Sequence, residues 1–308
     1  MAVKGNWAFI LNPVAGNGFA GDYINVVEDK IKNYKVQGEI FLTHAKGHAR
    51  TLSGELAEKG YDHIVAVGGD GTINEVAFGL VDKQNVTFGA VAAGTGNDFI
   101  QVLGFTEYFS ERDWEIFFEV NQIKMDIGQC NDNYFFNGMG LGFDAQVAAE
   151  NYTPDNEAKS GSKSKYLWHI VKNLMFFDEK IMYLMENDQK SEKTFFMNTI
   201  AIGRRFAGGY YLTPNALAND GLLDVCMVGD LNIGGRINLF MKVPKGAHIG
   251  HPKVTYYQTD KLIIEFDDEV PHHLDGELFF AKNFEIQILP QSMNTIYNPY
   301  GNHFFAIT

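Results

Sequence analysis

Short apolar runs alternate with amphipathic stretches over the first 127 residues. Trp7–Leu11 stops at Asn12-Pro13 and Glu39–Leu42 stops at Thr43. Ile64–Val67 stops at Gly68, and Val86–Ala92 stops at Gly94-Thr95-Gly96-Asn97-Asp98. Apolar runs of this length, bounded by turn residues, predict strands, and Tyr23–Lys32 and Ala49–Lys59 between them predict helices. Strands alternating with helices imply an α/β unit with a parallel sheet. Such sheets bind ligands beyond the carboxyl ends of their strands, at a switch point. All four predicted strand ends carry Gly, Asn, Asp or Thr.

From about Asp126 the pattern changes to short strand-like runs separated by turns. These are Tyr134–Asn137, Ile181–Met185, Thr194–Ile202, Leu223–Val228, Leu262–Phe266 and Phe284–Leu289. An all-β sandwich is the expectation. Lys163–Phe177 interrupts it with Leu167, Ile170, Val171 and Leu174 at helical spacing, and with Lys159, Lys163, Lys165 and Lys172 on a basic side. No internal repeat is found.

Length and charge narrow the class. A chain of 308 residues suggests two domains, each able to bury a core. A net charge of −13 argues against broad nucleic-acid binding and against whole-body attraction to anionic membranes. Any phosphate or membrane contact must come from a local patch. Cys130 and Cys226 form no CxxC or disulfide framework, which points to a reducing cytosol. The apolar start reads as a first strand rather than a signal segment, and no stretch approaches the roughly 18 apolar residues of a membrane span. A soluble, at most peripheral, protein is expected.

The chemistry concentrates in the loops. Gly68-Gly69-Asp70-Gly71-Thr72 follows a strand run and opens a helical one. Its glycines permit close backbone approach, and exposed N–H groups at a helix start favour a phosphate. Thr72-Ile73-Asn74-Glu75 also fits a capping box. A plain turn does not need Asp70, which suits Mg²⁺ beside nucleotide phosphates. Asn12-Pro13-Val14-Ala15-Gly16-Asn17-Gly18 occupies the same kind of junction, but is neither a Walker A loop nor a GxGxxG fingerprint. In the third loop Thr95 and Asn97 suit a nucleotide, Asp98 adds a second acid, and Asn97 or Asp98 equally suits an N-cap. Leu274-Asp275-Gly276-Glu277 reads as a hairpin turn, or as carboxylates able to act as a general base. Asp220-Gly221-Leu222-Leu223-Asp224 reads as a turn, or as a divalent-cation loop. The paired histidines lack a zinc spacing and read as loop or core residues.

Taken in order, Asn12-Pro13…Gly16, Gly68–Thr72 with Asn74-Glu75, and Gly94–Asp98 resemble the diacylglycerol kinase catalytic-domain family, which includes bacterial soluble lipid kinases and sphingosine kinases. Gly140–Ala145, Ala201–Tyr210, Pro214–Asp224, His251-Pro252 and Asp275-Gly276-Glu277 extend the likeness over nearly the whole chain. The GGDGT loop alone is shared with NAD kinases. The resemblance implies a nucleotide-binding α/β domain over 1–127, with 292–308 returning to it, and a β-sandwich lipid-substrate domain over 128–291, with the active cleft between them. It implies ATP contacts at Asn12, Pro13, Val14, Ala15, Gly16, Thr43, Gly68, Gly69, Asp70, Gly71, Thr72, Ile73, Asn74, Gly94, Thr95, Asn97 and Asp98. Glu277 matches the proton acceptor, with Asp275 and Asp70 beside it as catalytic candidates. A structural Mg²⁺ falls to Asp220 and the carbonyls of Leu217 and Leu222. The chain departs from the pattern at Ala15, where Ser is common, and at Asn17, where Lys or another polar residue is common.

The expected activity is transfer of the ATP γ-phosphoryl group to a lipid hydroxyl at the inner membrane surface, with Mg²⁺. Trp168, Phe176 and Phe177 are the candidate apolar membrane contacts. A homodimer is left open, and no nucleic-acid partner is expected. Two other readings compete. An NAD kinase shares the glycine-loop logic, but the Asn12-Pro13 loop and the Pro214–Asp224 segment favour a lipid kinase. A non-catalytic nucleotide or lipid sensor is consistent with Ala15 and Asn17, but not with retention of Asp70, Asp98, Asp275 and Glu277.

Overall fold

The computed structural model describes residues 4–150, 163–186 and 189–307, without the side chains of Asn17, residues 163–167, Glu186 and Gln189. Lys159 and the side chains of Lys163, Lys165 and Leu167 lie outside the described residues. The chain forms two compact units. One contains Met1–Ile127, Leu217–Gly221 and Leu289–Thr308; the other contains Gly128–Ala216 and Leu222–Ile288.

The first unit alternates β1 (Asn6–Leu11), α1 (Phe19–Asn33), β2 (Gln37–Leu42), α2 (His48–Glu58), β3 (His63–Gly68), α3 (Asp70–Gly79) and β4 (Thr87–Ala92). Two short helices follow, α4 (Phe99–Val102) and α5 (Glu111–Phe117), and then β5 (Gln122–Cys130) begins. The strands pair in parallel in the order β2-β1-β3-β4. Every residue of β3 and β4 is buried, which is why both read as unbroken apolar runs rather than alternating ones. The order reverses at β1, so the switch point lies between the ends of β1 and β3. Beneath it Trp7 stacks on His63 at 4.1 Å, and Phe105, Phe109, Trp114 and Phe117 form an edge-packed aromatic cluster.

The expected capping box at Thr72 is not formed. Helix α3 starts earlier, with Gly69 as its N-cap, so Thr72 lies inside the first turn. Glu75 caps a different helix: its carboxylate accepts the N–H groups of Gly47 and Ala49 at the start of α2. Residues 217–221 and 289–291, which the sequence places in the second domain, belong to the first unit. Buried Asp126 explains this, because it accepts the N–H groups of Gly221 and Gln291, both at 2.7 Å. Its own N–H donates to the Ala218 carbonyl.

The second unit contains β6 (Asn133–Phe135), β7 (Gly138–Gly142), α6 (Phe143–Glu150), α7 (Lys163–Phe176), β8 (Lys180–Glu186) and β9 (Gln189–Ala201). It continues with β10 (Arg205–Phe206), β11 (Tyr210–Tyr211), β12 (Leu223–Gly229), α8 (Ile233–Lys242), β13 (Val254–Thr259), β14 (Lys261–Leu274) and the start of β15 (Glu277–Ile296). Antiparallel strands run β13-β12-β9-β7-β14-β15, and β8 pairs with both β9 and β14. A register shift between Glu265 and Val270 bends β14, letting one strand serve two partners. Met139, Leu141, Phe195, Ile200, Val225, Ile264 and Phe284 are among the residues of the apolar core. The last turn of β15 pairing lies in the first unit, where Asn294 and Thr295 run parallel to Thr87 and Phe88.

A second apolar cluster joins Phe143 and Val147 of α6, Ile170 and Leu174 of α7, Phe177, and Leu231 and Leu239 beside and on α8. Inward positions 170, 173, 174 and 177 follow helical spacing, which turns Val171 outward to 39% exposure. Phe177, expected as an outer contact, is buried and packs edge-on against Phe143 and Phe196.

Candidate active site

Three loops meet at the switch point of the first unit. Asn12, just past β1, uses both ends of its side chain: its oxygen accepts the Val14 N–H, and its amide donates to the Thr72 hydroxyl at 3.2 Å. The Gly69 and Gly94 backbones pass so closely that a Cβ on Gly94 would sit 2.3 Å from the Gly69 Cα. Glycine is required there by contact rather than by φ. Gly16 has φ of +61° and approaches the Ala93 carbonyl, bringing the first loop against the third.

Asp70 holds the second and third loops together. Its carboxylate accepts the Phe99 N–H at 3.1 Å, with the N–H groups of Asp98, Asn97 and Asp70 itself also directed to it. Burial pushes its carboxyl above the usual range, and those N–H groups oppose the shift. Asp70 thus caps α4 from a distance, and Asp98 at the N-cap position makes no side-chain cap bond. The sequence expectation of Asp70 as a metal ligand meets a carboxylate already engaged by backbone amides.

Asn97 is also engaged. It is 2% exposed with φ of +53°; its oxygen accepts the Gly94 N–H, and its amide donates to the carbonyls of Gly94 and Glu107. Its contribution is to shape the loop. Ile73 is buried and contributes by packing. Val14, Gly71 and Thr95 are exposed, whereas Pro13, Ala15, Gly16, Asn74 and Asp98 are partly so. Thr43 is buried, and its N–H continues the sheet ladder to the Leu11 carbonyl. Helix α3 has no side-chain cap at its start, which leaves first-turn N–H groups suited to an anion.

A basic run follows β2, past Thr43 and into the predicted helix. His44, Lys46, His48 and Arg50 follow one predicted strand end and are its basic complement. His44 and His48 rings stack at 5.3 Å, the His44 N–H donates to His48 Nδ1, and Arg50 lies 3.4 Å over the Phe78 ring. The signal is Lys46 and Arg50 with two histidines directly after a strand end, in an acidic chain.

In the second unit Asp275 and Gly276 form the two-residue turn joining β14 to β15, both with left-handed φ (+48° and +89°). The turn reading is therefore satisfied. Asp275 also accepts three backbone N–H groups, from Phe136 at 2.7 Å, Asn137 at 3.0 Å and Gly138 at 2.8 Å. That fastens the hairpin to the start of β7 and sets Asp275 apart from the general-base role the sequence offered it. Glu277, the first residue of β15, is partly exposed. Of the paired histidines, His251 is half-buried and the other three are buried: His248 is fully buried, with Cys226 Sγ at 3.5 Å, and His272 stacks on Phe279 and edges Phe284.

The loop 217–221 offers a donor set of oxygens only. Asp220 adds to burial in pushing up the Asp126 carboxyl, so two acids share this region. Asp126 is committed to backbone N–H groups, so the ligand set expected from the sequence is Asp220 with loop carbonyls. Oxygen donors of this kind fit a hard divalent cation. No group of three or more His, Cys, Asp or Glu side chains suited to a metal occurs among the described residues.

Comparison with known proteins decides the family. The diacylglycerol kinase catalytic domain matches residues 6–130, and the YegS C-terminal NAD kinase beta sandwich-like domain matches 138–297. The chain belongs to the diacylglycerol kinase family. This family member is 27% identical over 274 residues to a diacylglycerol kinase of Staphylococcus saprophyticus, covering 87% of each chain. It is equally identical to one of Bacillus subtilis, covering 87% of this chain and 88% of that one. A solved structure from Bacillus anthracis superposes with a TM-score of 0.80 at 22% identity over 97% of both chains. A diacylglycerol kinase structure of the same organism gives 0.73 at 20% identity over 96% of this chain and 97% of the other. At those identities the structural likeness is one of fold.

Proposed function

We propose that this protein is a lipid kinase that moves the γ-phosphoryl group of ATP to the hydroxyl of a diacylglycerol-like lipid, with Mg²⁺. The observation that carries the reading is the convergence of three glycine loops at the switch point, tied by Asn12–Thr72 and by the Gly69–Gly94 approach. The uncapped start of α3 receives phosphate oxygens through backbone N–H groups. Lys46 and Arg50, after β2, supply positive charge that the glycine loops lack. Family membership and the names of the relatives support the class of reaction.

Phosphoryl transfer needs positioning and charge stabilisation more than covalent help. Thr95, Gly71 and Val14 are the exposed nucleotide contacts in this scheme; Asp70 and Asn97 hold the loops in register. We assign Glu277 as the acceptor of the lipid hydroxyl proton. Asp275 positions it by fixing the hairpin that Glu277 closes. Mg²⁺ at Asp220 and the carbonyls of Leu217 and Leu222 would neutralise the Asp126–Asp220 acid pair. In this scheme contact with the lipid is peripheral; among the described residues no helix is long and apolar enough to cross a membrane.

Radiolabelled ATP incubated with dispersed diacylglycerol, a total lipid extract and NAD in separate arms tests the proposal. Label in a lipid phosphate supports it. Label in the dinucleotide alone assigns the protein to NAD phosphorylation, and no label in any arm favours a sensor.

A further inference from the structure

Eight large apolar side chains are exposed among the described residues of the second unit, and six of them lie on two helices: Trp168, Val171 and Phe176 on α7, with Ile233, Ile237 and Met241 on α8. On α8 the three fall at i, i+4 and i+8, which makes one continuous stripe. Met241 is 69% exposed and Phe176 71%. This stripe is separate from the buried one, where Arg236, Leu239 and Val243 face inward.

The two helices are fixed to each other. Leu174 and Leu239 share the second apolar cluster. Arg236 donates to the carbonyls of Leu231 and Leu174 and pairs with Glu179. Asn232 caps α8 by accepting the Gly235 N–H at 2.8 Å. A helix so capped and clamped presents its apolar stripe on a rigid support.

Charge identifies the occupant. The chain carries −13 overall, yet between Asp230 and Asp260 it contains no acidic residue and four cations: Arg236, Lys242, Lys245 and Lys253. Arg236 is consumed internally. Lys242, Lys245 and Lys253 are exposed, the first directly after Met241 and the second three residues further on. An apolar stripe flanked by lysines, in an otherwise acidic protein, matches an interface where acyl chains and anionic headgroups meet. A protein partner would have to offer both features on one face; an anionic bilayer offers them everywhere.

We infer that the Ile233–Ile237–Met241 face of α8, with the exposed Trp168 and Phe176 of α7, docks on an anionic phospholipid surface. The inference rests on the lipid-kinase reading only for its purpose. Docking is measured without nucleotide and without turnover, so either claim can fail alone.

The experiment is co-sedimentation of the full-length protein with vesicles of phosphatidylcholine, with and without phosphatidylglycerol, at low and high salt. Wild type binds the phosphatidylglycerol vesicles in a salt-sensitive way. Ile237→Ser with Met241→Ser lowers the partition coefficient about tenfold or more at any salt. Lys242→Glu with Lys245→Glu removes the salt-sensitive part. Both variants should keep the wild-type unfolding midpoint, since all four side chains are exposed. Binding that ignores phosphatidylglycerol content, or that survives both double substitutions, overturns the inference. So does a lipid-free dimer that Ile237→Ser with Met241→Ser converts to monomer, because the face then belongs to a second copy.

Discussion

The side-chain amide of Asn12 donates to the hydroxyl of Thr72, joining the loop after β1 to the first turn of α3. These residues are 60 apart in sequence. The bond spans the switch point, so it sets the separation of the two loops proposed to hold ATP.

Asn12→Ala should therefore weaken ATP binding more than it weakens the fold. One neutral hydrogen bond is worth about 0.5–1.5 kcal/mol, which corresponds to roughly a two- to twelve-fold loss of affinity. A double-mutant cycle with Thr72→Val, read by titration calorimetry, should return a coupling energy in that range. Additive effects would mean that the bond does not position the loops.

Gly94→Ala tests the close approach. The new methyl would strike the Gly69 backbone first, and then the Asn97 side-chain oxygen. Overpacking of this kind costs about 1–3 kcal/mol. Denaturant unfolding should show that loss, accompanied by loss of ATP binding.

Asp275 and Glu277 should separate cleanly. Asp275→Ala strands three backbone N–H groups and should destabilise the protein by about 1–3 kcal/mol or more. Glu277→Gln should leave the unfolding midpoint and ATP affinity unchanged, while turnover falls about 10²–10⁴-fold.

His272 makes stability pH-dependent. Burial, together with the neighbouring His273, depresses its pKa from the model-peptide 6.5 to about 4. The unfolded chain then binds the proton more readily between those values, so stability falls as pH drops from 6.5 towards 4. A gap of that size corresponds to about 3 kcal/mol once the descent is complete. His272→Phe, which can stack with Phe279 and Phe284, should flatten this part of the thermal-midpoint curve.

The strand ends of the first unit were legible because β1, β3 and β4 are buried over nearly their whole length and stop at turn residues. Strand β7 was not, since Gly138-Met139-Gly140-Leu141-Gly142 reads as a turn. Its glycines are demanded by neighbours no sequence pattern shows: a Cβ on Gly140 would strike Asp144 and His273, and one on Gly138 would strike Ala201 and Phe206. Helix α8 was missed for a related reason, as Gly234-Gly235 resembles a helix stop but lies in a first turn capped by Asn232. Among the site residues, loop membership was readable and role was not. Asp70 and Asp275 are defined by backbone N–H groups from other segments, and Asn97 by bonds within its own loop and to the Glu107 carbonyl. The basic residues after β2 were visible in the sequence; the stacking of Arg50 on Phe78 was not.

The most direct test is turnover of Mg²⁺-ATP on vesicles containing diacylglycerol, run side by side for wild type and Glu277→Gln, with nucleotide affinity measured on both. The account predicts labelled lipid phosphate from wild type, little from the variant, and equal ATP binding. Wild-type protein that binds ATP yet labels no lipid, or a variant that turns over as fast as wild type, would contradict it.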